Sequence, residues 1–85
     1  MNLKSKMLSI ILQRLYPLYD SGAVIVVWGR FGKKGGMHAI VFNPEYKYGD
    51  HLGSTEVIPR IHSCEEWKLV VKDLIPYRLS ITKRG

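Results

Sequence analysis

Residues 23–42 read AVIVVWGRFGKKGGMHAIVF, and the folding of this stretch decides the rest of the chain. Residues 23–28 are an unbroken apolar, largely β-branched run, the composition of a central strand covered on both faces. Residues 37–42, MHAIVF, form a second such run. The two are natural antiparallel partners in a hairpin. Their connection is longer than the commonest hairpin loops of about two to five residues. Between them, residues 29–36 hold four glycines and three cations, so the connection is either a charged, mobile tip or a loop that holds something anionic.

Upstream of the hairpin, residues 3–16 read as a helix. Leu3, Met7, Ile10, Ile11 and Leu15 recur at intervals of three and four, with Lys6, Ser9 and Gln13 opposite. Leu8 and Leu12 widen the apolar arc, as expected of a helix packed over most of its girth or shared with a second chain. Pro17 limits its length and Asp20-Ser21-Gly22 signals a turn. Downstream, turns are expected at Asn43-Pro44 and over residues 49–54. Residues 55–61, TEVIPRI, make a short strand that Pro59 confines to an edge. Ser63-Cys64-Glu65-Glu66 fits a capping box, followed by Trp67, Val70, Val71 and Leu74 on one helical face and Pro76 as a stop. Residues 77–82, YRLSIT, alternate as a last strand, with Leu79 and Ile81 opposite Arg78 and Ser80. The expected fold is a single α+β domain over residues 1–85, in the order α-β-β-(β)-α-β. Its antiparallel sheet has three to four strands, with two helices packed on one face.

Lys and Arg outnumber Asp and Glu by 13 to 7, a net charge of +6. That balance favours nucleic acid, an anionic membrane surface or an acidic protein, without choosing among them; the expected partner is nucleic acid, RNA ahead of DNA, or an acidic host protein. One cysteine, Cys64, excludes an internal disulfide and a cysteine-based zinc site. No apolar run reaches the roughly 18–20 residues that span a bilayer, and Gln13 and Arg14 interrupt the one that imitates a signal peptide. The expectation is an intracellular, cytoplasmic protein without a membrane partner. No cofactor and no metal are implied: His51 beside Asp50, and His62 near Cys64, lack further ligands at a recognised spacing.

The loop carries the functional reading. Arg30, Lys33 and Lys34 are the candidate phosphate contacts. Gly32, Gly35 and Gly36 allow close backbone approach, and Phe31 is the candidate stacking ring, with no acidic residue from 23 to 44. The motif is not a P-loop, since no lysine-serine or lysine-threonine pair ends it and a strand follows where a helix should. Tyr16, Tyr19, Tyr46 and Tyr48 read as the rim of a small core. Lys4, Lys6, Lys83 and Arg84 add charge near the two ends.

His38 follows Gly36-Met37 at the start of the second strand, and Val57-Ile58-Pro59 follows later. In these positions and in its order of elements the chain resembles HicA-type toxins. These are small ribonucleases with a double-stranded-RNA-binding-domain-like fold, in which a glycine-serine pair precedes the functional histidine. Here Met37 stands in place of the serine. The resemblance implies His38 as a general acid or base acting on an RNA 2′-hydroxyl. The RNA-recognition motif, by contrast, needs alternating aromatics that Gly36, His38 and Ile40 do not supply. Two non-enzymatic readings stand beside it. One is an inhibitor of the phage or mobile-element type that docks on an acidic or nucleic-acid-binding site of a host protein. The other is a homodimer through the first helix.

Overall fold

A computed structural model describes residues 2–46, 50–52 and 55–83. Its elements are α1 (Leu3–Gln13), α2 (Tyr16–Asp20), β1 (Val24–Phe31), β2 (His38–Phe42), β3 (Asp50–Leu52), β4 (Thr55–Ile58), α3 (Cys64–Val71) and β5 (Leu74–Thr82). The α+β class and the order read from the sequence are those of the structure, with α2 and β3 as additions. Lys47, Tyr48, Gly49, Gly53, Ser54 and Arg84 lie outside the described residues.

The strands form one sheet in the order β3-β4-β2-β1-β5. β1 pairs antiparallel with β2, with Val27 opposite Ile40, and with β5, with Val27 opposite Leu79. β2 and β4 run parallel, so the sheet is mixed rather than antiparallel. The cause is β3, which occupies part of the stretch read as a turn. It pairs with β4 as an antiparallel hairpin, and the second strand of that hairpin adds to β2. β4 is therefore interior, and Pro59 lies just beyond its end rather than marking an edge.

Pro76 does not terminate a helix either. α3 ends at Val71, and β5 begins two residues before Pro76. The proline is tolerated because β5 is an edge strand and its register shifts there, between Trp28 and Gly29 of β1. Gly29 faces that irregularity. A Cβ on it would collide with the Ile75 carbonyl oxygen and lie 3.1 Å from the Pro76 Cα. This glycine serves strand packing, not loop freedom.

One core lies between the helices and one face of the sheet. Ile25, Val27, Ile40, Phe42 and Leu74 meet Leu12, Leu15, Tyr19, Ile61, Trp67 and Val71. Trp67 is its centre, with ring centroids 4.9 Å from Phe42 and 5.0 Å from Tyr19. Its indole N–H donates to the Leu12 carbonyl at 2.8 Å, and the Tyr19 hydroxyl accepts from the Ile61 N–H at 2.8 Å. Both buried polar tips are thereby satisfied. Tyr19 is thus a core residue rather than a rim residue.

The N-terminus of α3 follows its sequence signal, with the Ser63 hydroxyl accepting from the Glu66 N–H at 3.1 Å. The return arm of the box reaches one residue further back, Glu66 Oε2 accepting from the His62 N–H at 3.3 Å. α1 departs from expectation. It stops at Gln13, and Pro17 sits in the first turn of the separate α2, where its missing N–H costs nothing. Its buried residues are Ser5 and Leu12, while Leu3, Met7, Ile10 and Ile11 face outward.

Candidate nucleic-acid interface

The alternation along β1 places Ile25 and Val27 in the core, so Val24, Val26 and Trp28 point to the opposite face. No helix among the described residues contributes to that face. The unbroken apolar run of β1 suits a strand covered on both sides, and here it is covered on one. Cross-strand neighbours on the open side are Ala39 and Val41 from β2, Val57 from β4, and Arg78 and Ser80 from β5. Trp28 is 38% exposed, and the Arg78 guanidinium lies 5.7 Å from its ring centroid. Trp28, Met37, Tyr77 and Arg78 line a shallow depression of about 310 Å³. It is an aromatic floor with the Arg78 guanidinium lying over the Trp28 ring.

The glycine-rich connection borders this depression and is braced from within. Arg30 Nη1 donates to the carbonyls of Lys33 at 2.8 Å and Gly32 at 3.2 Å, and Arg30 Nε donates to the Tyr77 hydroxyl at 3.3 Å. The Gly32 N–H donates to the Asp73 carbonyl at 2.9 Å, and Gly32 takes a positive φ of 66° that disfavours any other residue. Gly35 passes so close to the strand that a Cβ would lie 2.7 Å from the Phe31 carbonyl oxygen, whereas Gly36 has open space around it. The backbone N–H of Gly32 is thus already engaged, and Arg30 braces the loop from within.

The predicted residues separate accordingly. Lys33 and Lys34 are exposed, and among the described residues no carboxylate pairs with them or with Arg30. Arg30 carries net charge to the surface, but its donors shape the loop. Phe31 is half-buried and packs against the edge of the core. Trp28 is the exposed ring. The signal was there in the strand's period of two, since Ile25 and Val27 inward put Trp28 outward. The apolar run concealed it, because Val24 and Val26 look as buried as their neighbours.

His38 lies on the other side of the sheet, with Ile40 and Phe42. Its Nδ1 sits 2.9 Å from the Gly36 carbonyl and its Nε2 3.4 Å from Glu56 Oε1. Both neighbours are acceptors. The structure therefore sets Trp28 beside Met37, Tyr77 and Arg78, leaves Lys33 and Lys34 exposed on the adjoining loop, and puts His38 on the other side of the sheet, linking Gly36 to β4. His62 and Cys64 are both exposed, and no side chains of His, Cys, Asp or Glu gather in threes among the described residues.

Arg60 anchors a second surface feature. It donates to Asp20 Oδ1 and to the Pro44 carbonyl, each at 3.0 Å, and lies 5.5 Å from the Tyr19 ring centroid. It closes one wall of a hollow of about 500 Å³ shared with Pro44, Glu45, Tyr46 and His62. This arginine has an internal carboxylate partner, which separates it from the loop lysines. Comparison with known protein families, curated proteins and solved structures gives no match to this chain.

Proposed function

We propose that this protein binds single-stranded nucleic acid, RNA in the first place, across the open face of its sheet. One observation carries the reading. An exposed tryptophan on an uncovered sheet face adjoins Arg78, and the loop beside it carries Lys33 and Lys34 without a carboxylate partner among the described residues. A sheet-borne aromatic stacks on an unpaired base, and flanking cations grip the phosphates on either side of it. Duplex would hide its base faces from Trp28. Arg30 acts through the loop, holding Lys33 and Lys34 at the rim.

The test is fluorescence anisotropy with a labelled single-stranded RNA, its DNA counterpart and a duplex, across a salt series. Neutralising three phosphates through Lys33, Lys34 and Arg78 gives a log–log salt slope of about −2, at about 0.7 counterions released per phosphate on a single strand. Trp28→Ala weakens binding by about 1–3 kcal/mol, the range for losing one stacked base. Lys33→Ala with Lys34→Ala flattens the slope by about 1.4, at the same 0.7 per phosphate. Affinity unchanged by both variants overturns the reading. Absence of binding to every nucleic acid leaves the surface to an acidic host protein, the inhibitor reading.

A HicA-like ribonuclease is the second reading, and the His38–Glu56 pair beside the loop favours it. On that reading His38→Ala abolishes RNA cleavage while binding persists. A variant that only melts earlier assigns His38 to bracing the loop.

A further inference from the structure

The outer face of α1 is the largest exposed apolar feature of a single element in the described residues. Leu3 is 74% exposed, Met7 56%, Ile10 52% and Ile11 44%, and all four lie along one side of the helix. On the helical projection Lys4 falls at one flank of this stripe and Lys6 at the other, both exposed, with exposed Arg14 capping its C-terminal end. No acidic residue occurs in residues 1–19. The inner half of the helix is held by buried Ser5 and Leu12, and the Leu12 carbonyl is tied to Trp67.

We propose that this face of α1 lies on an anionic lipid surface. The charge pattern matches the amphipathic helices that rest in a bilayer interface, where lysines flanking an apolar stripe extend to the headgroups. Three geometric facts select this occupant. Only the outer half of α1 is available, a face that suits contact with a plane more than a groove that wraps a helix. Eleven residues give a helix about 16 Å long. Half of its girth falls well short of the roughly 800 Å² per partner that stable dimers bury. A second copy would also set Lys4, Lys6 and Arg14 against their own kind. No helix among the described residues is long and apolar enough to cross a membrane, so the contact is peripheral. This face belongs to the helix-covered side of the sheet and does not depend on the nucleic-acid reading of the open side. It revises the expectation of no membrane partner.

Co-sedimentation of the full chain with vesicles of equal parts phosphatidylserine and phosphatidylcholine, against phosphatidylcholine alone, tests it. The expected result is partitioning to the anionic vesicles and little to the neutral ones, since each lysine near an anionic surface contributes about fivefold. Met7→Asp with Ile10→Asp lowers the partition coefficient more than tenfold without changing the melting curve, because both side chains are outside the core. Lys4→Glu with Lys6→Glu, which leaves the apolar stripe intact, does the same. Lys33→Ala with Lys34→Ala leaves vesicle binding within a few-fold, whatever it does to nucleic-acid affinity. The proposal is overturned by absence of partitioning, or by partitioning that survives Met7→Asp with Ile10→Asp. It is equally overturned if light scattering finds a dimer that this double variant dissolves, which would make the occupant a second copy.

Discussion

α1 and α3 are both helices with a clear apolar stripe in the sequence, and the structure treats those stripes in opposite ways. In α3 the stripe is the buried side: Trp67 and Val71 enter the core, and Glu65, Lys68 and Lys72 stay in water. In α1 the stripe of Leu3, Met7, Ile10 and Ile11 is the outer side, and Ser5 with Leu12 faces inward. The difference teaches what periodicity can and cannot choose. α3 carries charge on every side but one, so only one orientation avoids burying an ion. α1 has apolar residues around most of its circumference, so either orientation satisfies the hydrophobic pattern. Contacts then decide, and the Trp67 indole reaching the Leu12 carbonyl fixes which side turns in.

Substitutions along the two helices break or sharpen this contrast. Trp67→Ala has the largest effect, about 3–5 kcal/mol by urea unfolding, the range for truncating a buried aromatic. It removes the ring that meets Phe42 and Tyr19 and takes one of two donors from the Leu12 carbonyl, which keeps the Leu15 N–H at 3.1 Å. Leu12→Ala costs about 2–5 kcal/mol, as buried leucines do, although its neighbours in α1 are exposed. A value below 1 kcal/mol in that experiment would mean that α1 is turned the other way. Ser63→Ala costs about 1 kcal/mol by freeing the Glu66 N–H at the start of α3. Met7→Ala and Leu3→Ala fall within about 0.5 kcal/mol of zero, as surface positions do. A loss there as large as at Leu12 would show that the outer stripe is packed.

Much of the scaffold was legible in the residues themselves. The hairpin of β1 and β2, the capped α3 and the alternating β5 each carry a local signal strong enough to stand alone. β3 did not, because three residues between turn-forming neighbours have no period to read. Pro59 and Pro76 were legible as interruptions but not as to their place. Whether a proline ends a strand or sits at an edge bulge depends on which strand lies beside it. The candidate site divides in the same way. The charge of the loop is a property of composition, and Lys33 and Lys34 are where the sequence puts them. That Arg30 turns back to hold the Gly32 and Lys33 carbonyls, and that Phe31 packs against the core, depends on Tyr77, Asp73 and the core some forty residues away.

By itself the sequence determined an α+β chain of basic character, with a glycine-rich cationic connection between two strands and one unambiguous helix. These rest on periodicity, capping chemistry and net charge, all of which act over a few residues or over the whole composition. Only the tertiary structure decided which sheet face stays open, which side of α1 turns outward, and that Trp28 is more exposed than Phe31. Burial is a relation between distant segments. A strand apolar on both faces, or a helix apolar most of the way round, cannot choose its own inside until Trp67, Tyr19 and Phe42 have packed together.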